Sequence, residues 1–453
     1  MKLEHFAELR PLTNALLLAA VTLASPALAF EGMRFSHGDW ELACDNTGTC
    51  RAAGYQFDDG APVSVLLERT AGAEQPVRGW VKLGIYWGET TDVDIEDMRF
   101  FINDADLGAM ASYEGTQGSM LSPSQVDALL LALRGTSKIE WRIDDRVIRL
   151  SDKGSTAVLL KMDEFQQRLN TTGALVRIGS NDESQVLQPV SKPAITVATL
   201  IETKAEDRAL ANEADFVASL PDIDEVCDDA REGEAPNVSR LSDRHLLVSR
   251  SCWMAAYNYG QAVWVIDEKG EQPPQFVTDS ATSAEDGWVE EVHKGRGVGD
   301  CFSYRSHVWD GTAFQPVSAY LTGACRGIEP GGPWVLSTLD NLPILGEDPA
   351  KEINCEAAIS TPDMVACIGR DIAHLEYQMD VKIREEQRAH AADDELLAAM
   401  ATSQKAWLNY REAECSAVYT AFREGTIRSP MYAGCEYRMT KERLEYLSDR
   451  FSP

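Results

Sequence analysis

The sequence predicts a multidomain α+β protein, with β-rich N-terminal domains followed by an all-α helical hairpin domain that disulfides hold together. Three observations indicate this class. Short apolar segments separated by turn residues recur up to about residue 345, two long helical apolar patterns follow, and ten cysteines are spread along the chain. The length of 453 residues corresponds to about three domains of ordinary size.

Residues 1–29 resemble a secretory signal peptide. Lys2 and Arg10 precede an apolar run at 15–24, and Ala27-Leu28-Ala29 supplies small residues for cleavage. The run is shorter than the roughly 18 apolar residues that a membrane anchor needs, and no later segment is long and apolar enough. We therefore expect a bacterial protein that is periplasmic or secreted, with no membrane span after signal cleavage.

The cysteines indicate an oxidising compartment. All ten follow the signal, and their number is even, which is typical of a disulfide framework. Zinc is the alternative, but the chain has no Cys-x-x-Cys or Cys-x-x-His pair. The sequence therefore predicts five disulfides, no metal site and no cofactor.

Residues 30–180 have the pattern of an α+β domain. Two strand-like arms end at Cys44 and Cys50 around a polar turn with Asn and Gly, so we expect a hairpin bridged by these cysteines. Further strands are predicted at 63–68, 77–87, 139–143 and 147–150, and helices at 122–134 and 155–168.

Residues 181–240 are rich in acidic side chains. A helix is predicted at 206–220, and the acidic run at 222–234 is interpreted as a solvated linker, with a partner-binding strip as the alternative.

Residues 241–345 return to strand patterns and predict a β-rich domain. Strands are expected at 246–254, 261–266, 302–309 and 314–321, the last two joined at an Asp-Gly turn. Sequential pairing predicts the disulfides Cys227–Cys252 and Cys301–Cys325. Four tryptophans are assigned to the core or, alternatively, to a glycan groove: Trp253, Trp264, Trp288 and Trp309.

No catalytic residues are predicted. The glycine-rich stretch 294–301 lacks the Gly-x4-Gly-Lys order of a phosphate loop, and we interpret it as a strand bend beside a disulfide. Metalloprotease and serine-hydrolase motifs are absent from the sequence, so we expect no enzyme, although paired carboxylates leave a glycan hydrolase open. The net charge of −30 opposes nucleic-acid binding.

Residues 346–453 predict the helical hairpin domain. Apolar residues recur at helical spacing over 364–383 and 396–422, with only a short connection between them. Reflecting the chain about Ala391 brings Cys367 opposite Cys415, so the nested pairs Cys367–Cys415 and Cys355–Cys435 are expected. Trp407 lies on the apolar stripe and is predicted to be core.

Two resemblances add to this interpretation. The cysteines named above, the run Gln404–Cys415, Thr440 and Arg443 resemble the LprI-type lysozyme inhibitors, although Met379-Asp380 stands where that family has Leu-Asn. The stretches Trp40–Cys44, 294–301 and 325–327 resemble an uncharacterised secreted bacterial family sometimes joined to LprI-like domains.

The LprI resemblance implies an exported binding protein that inhibits a lysozyme-type muramidase. Its partner would be a cationic lysozyme or another envelope protein. The alternative is a cell-envelope interaction or glycan-binding module without inhibitory activity. We predict Arg428 and Tyr432 as partner-binding residues, on a loop that Cys415 and Cys435 flank and Pro430 stiffens. Alternatively, this loop only connects helices.

Overall fold

The computed structural model describes residues 31–58, 60–84, 98–112, 118–143, 146–227, 234–345, 355, 361–390, 393–422 and 427–450. Within these ranges, several β-sheets form the N-terminal part, and three long helices form the C-terminal part with two disulfides. The predicted fold class is therefore confirmed. No described helix is both long enough and apolar enough to cross a bilayer. The predicted signal lies outside the described residues.

The first layer of the molecule combines two antiparallel sheets with two helices. Its strands are β1 (Met33–His37), β2 (Trp40–Cys44), β3 (Cys50–Tyr55), β4 (Val63–Arg69), β5 (Arg78–Leu83), β6 (Arg99–Ile102), β7 (Ala105–Ala109), β8 (Ala111–Ser112), β9 (Gly118–Met120), β10 (Ile139–Ile143) and β11 (Arg146–Leu150). They form a seven-stranded sheet in the order β1-β2-β3-β4-β5-β9-β8 and a four-stranded sheet in the order β11-β10-β6-β7.

Helices α1 (Pro123–Ala132) and α2 (Ser155–Phe165) belong to the same layer. Ser122 begins α1 as a capping box with Gln125, because the serine hydroxyl accepts the Gln125 amide and the glutamine side chain accepts the Ser122 amide. Side chains from both helices and both sheets share one apolar core, in which Phe100 stacks on the fully buried Trp141 at 5.0 Å.

The predicted β2–β3 hairpin and its disulfide are confirmed. Cys44 and Cys50 are directly opposite in the antiparallel register, with Cα atoms 4.0 Å apart.

The second layer contains the remaining described strands. They are β12 (Ala194–Val197), β13 (Asn237–Arg240), β14 (His245–Met254), β15 (Tyr259–Asp267), β16 (Gln275–Ala281), β17 (Ser283–Glu285), β18 (Trp288–Lys294), β19 (Phe302–Trp309), β20 (Phe314–Leu321), β21 (Leu336–Asp340) and β22 (Leu342–Leu345). Strands β13 to β16 form one antiparallel sheet and β17 to β21 another, and β12 pairs with β22 in parallel. An apolar cluster that includes Val263 and Trp309 lies between the two larger sheets.

In the described part of the acidic segment the acidic side chains are solvated as predicted, but the chain packs against the β-sheets and is not a free linker. Helices α3 (Ala205–Ala209) and α4 (Ala214–Ser219) precede a buried stretch in which Leu220, Ile223 and Cys227 pack against β14 and β15. Asp222, Asp224 and Glu225 point to solvent. The prediction considered only the number of acidic residues and overlooked the apolar residues interspersed among them, which are the ones that pack.

The two layers contact each other through the chain between β20 and β21. The Trp334 indole donates to the Ser64 hydroxyl at 2.7 Å, and Lys82 pairs with Glu329 at 2.7 Å. The amide of Ala324 donates to the hydroxyl of the buried Tyr55 at 2.8 Å. The domain boundaries predicted at residues 180, 240 and 345 stay a prediction.

The C-terminal module consists of α5 (Thr361–Ala389), α6 (Asp394–Ala421) and α7 (Arg428–Arg450). Helices α5 and α6 run antiparallel as predicted, and Glu376 of α5 binds Arg411 of α6 at 2.6 Å. Helix α7 was not predicted and packs against both of the others. The predicted loop is therefore wrong from Arg428 onwards, while residues 423–426 lie outside the described ranges. Pro430 fits in the first turn of α7 because the amides there have no helical partner to lose.

The nested disulfides predicted for this module are also wrong. Cys355 pairs with Cys367, and Cys415 pairs with Cys435. The reflection about the turn gives the height of a residue along the hairpin but not its direction around the helix. Cys367 lies nine residues, or about two and a half turns, from Glu376, so it points away from α6.

Candidate partner-binding site on the C-terminal helices

Helices α6 and α7 form a second antiparallel hairpin whose two arms are joined by a disulfide. The Cα atoms of Cys415 and Cys435 are 5.6 Å apart, and both cysteines are buried. Thr440 of α7 accepts a hydrogen bond from Arg411 of α6 at 2.7 Å. The two arms are thus joined near the end of the hairpin by one disulfide and one hydrogen bond.

The structure brings the predicted residues Arg428 and Tyr432 together at this end. The exposed Arg428 guanidinium lies 5.3 Å from the ring centre of Tyr419, and the Tyr432 ring meets the Tyr419 ring edge-on at 6.1 Å. The two residues are therefore neighbours on helices rather than points on a loop, and Tyr419 of α6 connects them.

Tyr432 is held by a carboxylate. Its hydroxyl donates to Glu412 at 3.0 Å. Burial and then the bond to Glu412 raise the pKa of Tyr432 to about 12, so the hydroxyl stays neutral at physiological pH. The hydrogen bond restricts the ring and leaves it preorganised for contact with a partner.

Exposed apolar side chains surround these two residues. Tyr419, Phe422 and Ile427 are 37%, 40% and 53% exposed. We call the set Tyr419, Phe422, Ile427, Arg428 and Tyr432 the tip patch. Aromatic side chains and arginine are the residue types most enriched at the energetic centres of protein interfaces.

Trp407 has a different role from the one predicted. It is half-buried, and the guanidinium groups of Arg411 and Arg443 lie 5.1 Å and 5.6 Å from its ring. Because Arg411 also binds Glu376 of α5, this arrangement joins all three helices. Three residues of the LprI-like pattern, Trp407, Arg411 and Arg443, thus hold the module together.

One face of the module is covered by the β-rich part of the chain. Tyr377 and Val381 of α5 pack against Val197, Trp288 and neighbouring valines of the second layer. The tip patch belongs to α6 and α7, so this packing leaves it accessible.

The glycine-rich stretch beside Cys301 is a structural bend, as predicted. A Cβ atom on Gly295 would lie 2.6 Å and 2.8 Å from the sulfur atoms of Cys301 and Cys325, so only glycine fits against this disulfide. Asp300 is fully buried and binds the Arg296 side chain and the Gly327 amide. Burial alone would raise the pKa of Asp300, but these two donors hold it below its usual range.

Asp300, Cys301 and Cys325 are also close enough together to resemble a metal site. Their chemistry does not fit a metal, because both sulfur atoms are bonded to each other and offer no thiolate. The remaining disulfide predicted by sequential pairing, Cys227–Cys252, is present as well.

The tryptophans do not form a glycan groove. Trp264, Trp288 and Trp309 are buried in three different apolar clusters. Trp253 is half-buried and donates to the Asp279 carbonyl at 3.0 Å.

These features define a β-rich, disulfide-bonded protein with an appended three-helix module. The chain belongs to the family described as "Protein of unknown function (DUF1176)", whose model matches residues 34–340. Residues 354–447 match the model described as "Lysozyme inhibitor LprI". Both resemblances are confirmed.

The chain is also similar to "Uncharacterized protein YpfG" of Escherichia coli (strain K12). The two are 24% identical over 336 residues, which cover 69% of this chain and 92% of the relative. No solved structure matches the chain. The helical module therefore suggests lysozyme-inhibitor-like function, and the five disulfides suggest an extracytoplasmic protein.

Proposed function

We propose that this is an exported envelope protein whose C-terminal helices bind a lysozyme-type muramidase through the tip patch. The observation that carries the proposal is the position of Arg428 and Tyr432 within an exposed aromatic surface, on a hairpin that Cys415–Cys435 holds rigid. A surface ordered before binding loses little conformational entropy when a partner docks.

The charge of the chain favours the same class of partner. A protein with a net charge of −30 attracts a cationic lysozyme over distances longer than those of direct contact. Such steering speeds association and weakens as salt screens it, so inhibition should fall with rising ionic strength.

The direct test is a turbidity assay in which the purified mature chain is added to a cationic lysozyme acting on suspended bacterial cell walls. Wild type should slow clearance. Arg428→Ala and Tyr432→Ala should each weaken lysozyme binding by about 1–2 kcal/mol, measured by titration calorimetry.

Matched control substitutions exist on the same helices. Arg438→Ala on α7 and Tyr410→Ala on α6 remove an exposed arginine and an exposed tyrosine outside the tip patch, and both should bind lysozyme like wild type. Wild-type affinity in both tip-patch variants would assign binding to another surface. Undiminished clearance with the wild-type chain would instead favour the non-inhibitory envelope module.

The export part of the proposal has its own test. Expression of the full chain in a bacterium, followed by N-terminal sequencing of the periplasmic fraction, should give a mature chain that begins at Phe30. A chain that keeps residues 1–29 and stays in the cytoplasm would refute export.

A further inference from the structure

A cleft of about 1200 Å³ lies between the sheet β13–β16 and the edge strand β17. Its floor is one face of β13, β14 and β15, and its walls are residues 200–203 and 282–286. It lies in the part of the chain that matches the family of unknown function and is separate from the tip patch.

The floor of this cleft changes from apolar to polar along one face of the sheet. Leu247 and Val263 belong to the apolar cluster between the two large sheets. On the same face, Asn237 lies opposite Ser249 in the register, and Gln261 continues the polar region. The space between the sheets is therefore closed by packing at one end and open to polar contacts at the other.

The polar side chains of the floor are not used by the fold. Ser249 is only 3% exposed, yet its hydroxyl makes no hydrogen bond to another described group. The side-chain amides of the exposed Asn237 and the half-buried Gln261 make no hydrogen bond within the described ranges either. Because Ser249 is buried and its hydroxyl has no partner among the described protein groups, this hydroxyl and the two amides are available for hydrogen bonds to a molecule bound in the cleft.

The wall formed by β17 offers backbone groups as well. Asp286 and Gly287 have φ angles of 49° and 71°, typical of a two-residue hairpin turn that closes with the hydrogen-bonded pair Glu285 and Trp288. The next pair, Ala284 and Val289, is then non-hydrogen-bonded, and the Ala284 N–H and C=O point away from β18. Because β17 is the outermost strand of its sheet, these groups face the cleft.

The opposite edge is partly capped. The amide of Arg240 at the free edge of β13 donates to the Thr203 hydroxyl at 2.9 Å. The Arg240 guanidinium is occupied by Asp207 at 2.6 Å and by Glu268 at 3.0 Å. One outward amide of β13 is thus capped, whereas β17 lies along the cleft and offers an edge that another strand can join.

We propose that this cleft binds an extended peptide segment, which adds as a strand to β17 and receives side-chain hydrogen bonds from Asn237, Ser249 and Gln261. Strand addition to a sheet edge is a common mode of peptide recognition. Glu202, Glu285 and Asp286 outnumber the exposed Arg208 around the opening, so peptides that carry lysine or arginine are favoured. A glycan fits less well, because no aromatic ring lines the described cleft.

The test uses the full mature chain and a library of random linear dodecapeptides displayed on phage. The most enriched peptide is synthesised, and its affinity is measured by fluorescence anisotropy. A second version with N-methylated backbone amides keeps every side chain but cannot pair as a strand. A panel of cell-wall oligosaccharides is measured in parallel.

Two substitutions probe the cleft, and a third is the matched control. Ala284→Pro removes the outward N–H on an edge strand, where proline is tolerated, and should weaken peptide binding at least tenfold. Ser249→Ala should weaken it about fivefold. Ser337→Ala changes a buried serine on β21, at the far edge of the same five-stranded sheet as β17, and should have no effect.

Circular dichroism and thermal melting check that each variant is folded. If Ala284→Pro unfolds the protein, Ser249→Ala and the N-methylated peptide still decide the question. The proposal is supported if lysine- or arginine-containing peptides are enriched and if the two cleft substitutions and the N-methylated backbone each weaken peptide binding. It is overturned if no peptide is enriched, if cleft variants bind peptide like wild type, or if only the oligosaccharides bind.

Discussion

The disulfide Cys415–Cys435 should supply much of the local stability of the C-terminal hairpin. The perturbation is the double substitution Cys415→Ala/Cys435→Ala, with alanine chosen because both sites are buried. The bond joins residues 20 positions apart. Loop-closure entropy for a loop of this size corresponds to about 3 kcal/mol.

Hydrogen exchange followed by mass spectrometry measures this effect in the intact chain. Peptides from α6 and α7 should exchange about a hundredfold faster, since every 1.4 kcal/mol is a factor of ten. Peptides from β2, β3 and β4 should not change. The matched control is Cys44→Ala/Cys50→Ala, which makes the same chemical change at a bond that spans only six positions.

Two results would refute this reasoning. One is unchanged protection of α6 and α7 in the double variant, which would mean that helix packing alone holds the hairpin. The other is a non-reducing peptide map of wild type in which Cys415 is linked to Cys367, because that pairing contradicts the direction of Cys367 on α5.

Three further outcomes are expected. Trp407→Ala should lower the free energy of unfolding of the helical module by about 2–3 kcal/mol, as measured by thermal melting. This is less than the usual cost for a fully buried tryptophan, because Trp407 is only half-buried. Tyr432→Phe should remove a tyrosinate absorbance step near pH 12. Because folding raises the pKa of Tyr432, its neutral hydroxyl stabilises the folded state fully below about pH 10, and this contribution is lost as the pH rises through 12. Deleting residues 346–453 should preserve the β-sheet spectrum, abolish lysozyme inhibition and increase binding of a hydrophobic dye, because Trp288 loses its cover from α5. An inhibitory fragment, or one that binds no additional dye, contradicts the last expectation.

Local sequence signals were sufficient for much of the fold. The hairpin with Cys44 and Cys50 forms because a polar turn and facing arms are adjacent in the chain. Strands β19 and β20 have the predicted bounds, because an Asp-Gly turn separates two apolar segments. The amphipathic spacing of α5 and α6 predicted their antiparallel pairing in the same way.

A signal for α7 was also present. Ala433, Thr440 and Leu447 are buried and recur every seven residues, which is typical of a helix face. Pro430 was interpreted as stiffening a loop, but proline is compatible with the first turn of a helix, and tertiary packing outweighs the weak helix propensity of Gly434. Arg428 and Tyr432 were therefore placed on a loop by prediction, whereas they lie about one turn apart on α7.

Residue types and spacing along the chain determined the class of this protein, its turns, its two longest helices and three of its disulfides, Cys44–Cys50, Cys227–Cys252 and Cys301–Cys325. Tertiary structure alone decided that Cys367 points away from α6, that α5 packs on Trp288 and that an edge strand faces unused polar groups. Periodicity states which side of an element is apolar. It does not state which distant element covers that side, because that choice depends on packing and hydrogen bonding across the whole chain.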